Sequence, residues 1–206
     1  MNARALAVFL SLVSVGTNVL GQESSLPRPY TDKDAYQIYA QLIPNEETWG
    51  TKTKVIEEET VPGEGGMMDL DSCVAPPVAL DFRDAIANFK TNNSRRWLLQ
   101  RQFELSGPYE LVSSDTIKAT FRGGEQSRTE GAHPLDSGWK AFYARYPGSG
   151  GFIVLSAVGF NKDKTRAVVY SGASCGSLCG AWSFHLFKKV DGKWTEAPGI
   201  MCHTMS

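Results

Sequence analysis

The last third of the chain constrains the fold most. Residues 152–160 form a nearly continuous run that is apolar on both alternating faces, which predicts a strand covered on both sides. A polar turn, Asn161-Lys162-Asp163-Lys164, separates it from a second strand at 166–171 that is rich in Val and Tyr. Residues 181–190 alternate, with Trp182, Phe184 and Leu186 on one face and Ser183, His185 and Phe187 on the other. Asp191-Gly192 is a two-residue hairpin signal, and residues 193–196 supply a fourth strand.

Upstream, helical spacing alternates with short strand signals. Thr31 or Asp32 caps a helix on which Tyr36, Tyr39, Ala40 and Ile43 recur until Pro44 stops it. Residues 52–60 read as a strand, and residues 62–71 as a loop carrying Gly63, Gly65 and Gly66. Residues 79–89 read as a second helix with Leu80, Ala85, Ile86 and Phe89 on one side. Ser94 caps a short third helix bearing Trp97 and Leu98, and 109–112 and 117–121 are short strands. Residues 122–136 are polar and irregular, after which Trp139, Phe142, Tyr143 and Tyr146 form a helical stripe ended by Pro147-Gly148. These elements predict a single α+β domain over residues 31–206, its helices packed on a C-terminal four-stranded antiparallel meander.

The N-terminus predicts export. Arg4 supplies a positive start, residues 5–15 are apolar except for Ser11 and Ser14, and Val19-Leu20-Gly21 offers small residues for cleavage. A run of about eleven apolar residues is too short to span a bilayer as a stable helix. Residues 1–21 therefore read as a signal peptide, residues 22–30 as a polar tail, and the mature protein as secreted or periplasmic, with no transmembrane segment. Losing the leader removes Arg4 alone, which takes the formal charge from −1 to −2. That balance argues against a nucleic-acid partner and leaves a protein or small-molecule partner open. Four cysteines in an oxidising compartment point to disulfides. Cys175 and Cys179 frame Gly-Ser-Leu and are expected to pair locally, with Cys73 and Cys202 either paired or free.

Several segments of the chain together carry a resemblance. They are Gly138-Trp139 with Phe142-Tyr143, Tyr146-Pro147-Gly148-Ser149, Ser156-Ala157-Val158-Gly159-Phe160-Asn161, Ala167-Val168-Val169-Tyr170, and residues 188–194 with Asp191-Gly192-Lys193-Trp194. This set resembles a family of uncharacterised exported bacterial proteins. The resemblance covers roughly residues 136–195 and implies fold and export. It assigns neither an activity nor a catalytic residue.

Candidate chemistry is sparse. Gly172-Ala173-Ser174-Cys175-Gly176 matches the Gly-x-Ser-x-Gly nucleophile elbow, and Asp191 and His203 follow in hydrolase order. That elbow requires a strand, a tight turn and a helix, whereas the pattern here leads into another strand, so Ser174 is expected not to be a nucleophile. The three-residue spacing of Cys175 and Cys179 suits a structural bond better than a redox pair. His133, His185 and His203 lack metal-ligand spacing, with His185 expected as a half-buried strand residue. Glu57-Glu58-Glu59, Asp69 and Asp71 form no calcium loop, and Arg95, Arg96 and Arg101 around Trp97 read as a solvated face. Asn92-Asn93-Ser94 is a glycosylation sequon. No metal or cofactor is implied. The functional expectation is a non-catalytic binding or envelope-associated module, supported by the aromatic content (5 Trp, 7 Tyr and 10 Phe) available to line a pocket. The alternative is a small exported serine hydrolase using Ser174.

Overall fold

A computed structural model describes residues 27–44, 52–62, 69–126 and 134–205. The proposed leader, His133 and most of the glycine-rich loop after Pro62 lie outside the described residues. The strands are β1 (Arg28–Tyr30), β2 (Thr53–Glu57), β3 (Trp97–Leu99), β4 (Tyr109–Val112), β5 (Ser149–Leu155), β6 (Gly159–Phe160), β7 (Arg166–Gly176), β8 (Cys179–Val190), β9 (Lys193–Ala197) and β10 (His203–Met205). The helices are α1 (Lys33–Leu42), α2 (Leu70–Cys73), α3 (Pro76–Asn92), α4 (Ser114–Gln126) and α5 (Pro134–Arg145).

The α+β expectation holds, with a larger sheet than the sequence predicts. Strands β5, β7, β8 and β9 pair antiparallel in succession as the meander requires. The sheet then continues past β5 through β2 to β4 in parallel register, and β10 joins β8, giving a mixed eight-stranded sheet. Asp191 and Gly192 adopt φ of 49° and 78°, the two positive values of a type I′ turn.

Two helical layers cover the sheet. On one face α1 buries Ile38, Tyr39 and Ile43 against Val169, Phe187 and Trp194. Asp32 caps α1 by accepting the Asp34 and Ala35 amide hydrogens. On the other face α3 buries Phe82, Ala85 and Phe89 against Val168, Phe184 and Leu186. The α4–α5 pair packs Ile117, Trp139 and Phe142 over Val55, with Phe152 at the edge of the cluster.

Several local expectations are corrected. Trp97 and Leu98 lie in a strand, not a helix: β3 pairs with β1, and Thr60 and Leu99 complete backbone bonds across it. Its partner lies some seventy residues away in sequence, at Arg28–Tyr30, which is a strand and not part of a tail. Ser94 donates to Thr91 O at the end of α3 and does not start a helix. Residues 117–121 are helical, not a strand. Ile117 and Phe121 stand four apart on the inner face of α4, whose first turn Ser113 closes by accepting the Thr116 amide. Residues 122–126 and 134–136 are helical where irregular chain was expected. In α3 the buried face runs through Phe82, Ala85, Ile86 and Phe89, while Leu80 is 75% exposed. Residues 70 and 71, expected at the end of the loop, open α2, with Asp69 accepting from the Ser72 amide and Asp71 paired to Lys90.

The apolar run at 152–160 is not one strand. It leaves the regular ladder at residues 156–158, where Tyr30, Tyr39 and the asparagines of the α3 C-terminal end satisfy the freed backbone groups. Asn93 exchanges two hydrogen bonds of 2.9 Å with the Ala157 backbone, Asn92 Nδ2 donates to Val158 O, and Asn88 Oδ1 accepts from Phe160 N. The sequon nitrogen on Asn92 is therefore a structural donor.

Candidate functional site: a cleft beyond the end of α1

Helix α1 ends at Leu42, ahead of Pro44, and so covers only part of its face of the sheet. Beyond it, no described helix covers β7, β8 and β10 on this face. The ladder registers Ser171 with Ser183, and Ser183 with His203. Directly paired residues share a face, so these three side chains form a polar row across three strands. The row floors a cleft of about 300 Å³ whose apolar walls include Leu42, Pro44, Ile153, Ala173 and Met205. No Lys or Arg occurs among the described residues that line it.

His185 shares this face and reaches diagonally to the row. Its Nε2 lies 2.9 Å from Ser171 Oγ, and its Nδ1 lies 2.7 Å from Glu196 Oε1 on β9. The His185 hydrogen bond holds the Glu196 carboxyl below its usual range, against partial burial that acts the other way. An ionised carboxylate can only accept, so Nδ1 carries a proton. In the neutral imidazole Nε2 is then the acceptor, and Ser171 donates its hydroxyl hydrogen to it. Ser183 Oγ donates to Phe184 O at 2.8 Å.

Ser174 is elsewhere. It lies within β7, opposite Phe152 and Gly180, on the face away from the polar row. There it borders a second, more open cleft with Phe121, Trp139 and Phe152. Asp191 occupies the turn at the opposite end of β8. Ser174, Asp191 and His203 therefore do not converge.

The cysteines fall into two pairs at disulfide distance, Cys73 with Cys202 and Cys175 with Cys179, each with Cα atoms 5.0 Å apart. The second pair closes the β7–β8 hairpin, which Tyr143 OH fixes to α5 by donating to Cys175 O at 2.7 Å. On the far face Gly172 lies under the Trp182 indole, where any side chain would collide with the ring. Among the described residues no group of three or more His, Cys, Asp or Glu could hold a metal ion. No described helix is long and apolar enough to cross a membrane.

The Ser171–His185–Glu196 chain escapes the sequence reading because residues 172–180 look like a loop there. Their Gly, Ser and Cys content hides the fact that both strands continue to a turn at Ser177-Leu178. Placing that turn between Cys175 and Cys179 would have given the register, and with it the Ser171–Ser183 pair. Comparison with family models, curated proteins and solved structures finds no match for this chain.

Proposed function

We propose that the protein is an exported ligand-binding module and that its binding site is the cleft beyond α1. The observation that carries this reading is the cleft itself: an apolar concavity with a few converging polar groups, fixed on a rigid sheet. Export is supported by the N-terminal leader pattern, by the resemblance to exported bacterial proteins and by the two cysteine pairs.

A serine-hydrolase reading draws on the Ser171–His185–Glu196 chain, whose spacing suits a nucleophile and its base. Acyl transfer also needs donors aimed at the developing oxyanion, commonly backbone N–H groups at a turn after the nucleophile. Ser171 lies inside a strand paired on both edges, with Leu155 and with Ser183. The backbone around it serves the ladder, so the hydrogen-bonded chain orients a binding hydroxyl. An envelope-structural role would make no use of the cleft.

The test is a fragment screen on the secreted, mature protein followed by amide NMR. Hits are expected to shift the amides of Ala173, Ser183 and Thr204. Hits that map only elsewhere, or no hits at all, would overturn the assignment.

A further inference from the structure

We propose that the cleft takes a ligand with an ammonium head on a short apolar body, an inference that rests on the cleft being the binding site. The first argument is hydrogen-bond polarity. With His185 neutral, its Nε2 engages the Ser171 hydroxyl hydrogen, and Phe184 O engages that of Ser183. Both oxygens therefore present only lone pairs to the cleft. A ligand carbonyl or carboxylate would meet lone pairs with lone pairs, whereas an ammonium group brings three donors.

The second argument is charge. Glu196 is ionised at the far end of the chain, its carboxyl held low by His185. Glu196 lies behind His185, and the described lining holds His185 and His203 but no Lys or Arg. An anionic ligand would enter a field of its own sign, and a cation would be drawn in. The third argument is shape. Leu42, Pro44, Ile153 and Met205 offer apolar surface around the polar row, so the body behind the head is apolar and small enough for about 300 Å³.

Three six-carbon probes that differ only in the head group separate these arguments: n-hexylammonium, 1-hexanol and hexanoate. Each is titrated at neutral pH into the mature protein, followed by the Ala173 and Ser183 amide NMR signals. Hexylammonium is expected to bind about tenfold or more tightly than hexanol, consistent with a charge-assisted hydrogen bond. Hexanoate is expected to be weakest. Glu196→Gln should remove the preference for the amine over hexanol, and Ser171→Ala should weaken hexylammonium. Equal binding of amine and alcohol, or tighter binding of hexanoate, would overturn the ammonium assignment and leave the cleft as a binding site. Signals that move with none of the probes, in a protein that also gives no fragment hits, would overturn both.

Discussion

Strands β7 and β8 run side by side through two different environments. In the half nearer the Asp191-Gly192 turn, Ala167 pairs with Phe187 and Val168 with Leu186, and these four are buried together with Val169 and Phe184. Helix α3 packs one side of that half and α1 the other. In the half nearer the Ser177-Leu178 turn, residues 171–174 and 180–183 are, apart from Trp182, small or polar and mostly half-exposed. The same ladder continues through both. What changes is the cover, and with it the residue types the sheet can tolerate. The covered half holds the register through side-chain packing, since a one-residue slip would turn Phe184 and Phe187 to the wrong faces. The open half inherits that register, which is how Ser171, Ser183 and His203 come to lie in line without a packed core around them. Each half also has its own cysteine pair: Cys73–Cys202 lies in the cluster with Phe82 and Phe184, and Cys175–Cys179 closes the open hairpin.

If that division is right, removing the crosslink of the covered half should cost most. Cys73 and Cys202 are 129 residues apart, and closing a loop of that length stabilises by about 5 kcal/mol in the chain-entropy model. The double variant Cys73→Ala/Cys202→Ala should therefore unfold at markedly lower denaturant concentration. A midpoint within error of the wild type would mean that packing alone holds this half.

The next effect lies where α1 meets the strands. Asp34 accepts from Lys189, Lys164 and the Trp194 indole. Burial alone would raise its carboxyl, but the hydrogen bonds from Lys189, Trp194 and Lys164 outweigh it, and the carboxyl sits below its ordinary value. A group depressed in the folded state stabilises fully above its unfolded pKa of about 4 and loses that contribution as pH falls through its folded value. Asp34→Asn should cost about 2–3 kcal/mol at pH 7, as expected for hydrogen bonds to charged partners. The gap from wild type should narrow below about pH 4. A gap independent of pH, followed by urea melts from pH 7 to pH 2, would show that Asp34 acts only through packing.

How much of this was legible in the sequence follows the same line. The covered half could be read because its alternation of large apolar residues and its Asp-Gly turn are local signals. Helix α1 could be read because Asp32 and Pro44 mark its ends. Strand β3 could not, since its partner is remote and three residues carry no period of their own. Helix α4 is hidden because the stretch 117–121 reads as a short strand-like run, while the pair that defines the helix is Ile117 and Phe121 at i, i+4. The polar row failed for a third reason. Its residues are individually ordinary, and only the register of a hairpin mistaken for a loop brings them together.

In the open half the effects should be smaller. The Cys175–Cys179 pair spans a separation of only 4, so its removal should cost about 2 kcal/mol or less in the same entropy model. Tyr143, which donates to Cys175 O, still ties the hairpin to α5. Cys175→Ala/Cys179→Ala should keep the fold and loosen the open half, seen as faster amide exchange in residues 173–182 with little change in 166–170 and 184–188. Uniformly faster exchange would mean that the two halves are one cooperative unit.

The smallest stability effect should come from the polar row itself. Ser171→Ala removes one hydrogen bond from a half-exposed site, and His185 keeps its bond to Glu196. The cost should be about 1 kcal/mol or less, because water in the cleft can take the hydroxyl's place at Nε2. The same substitution separates binding from catalysis. If Ser171 only presents an acceptor, a fluorophosphonate probe should leave the wild-type protein unlabelled, because phosphonylation draws on the oxyanion stabilisation that a strand-embedded serine lacks. Ser174 should also stay unlabelled, since it faces the aromatic cleft, with His203 on the other face and Asp191 in the turn at the opposite end of β8. Intact mass after exposure to the probe reads both outcomes at once. Stoichiometric labelling that disappears in Ser171→Ala would turn the hydrogen-bonded chain into a catalytic one, and labelling lost in Ser174→Ala would restore the nucleophile elbow on the opposite face.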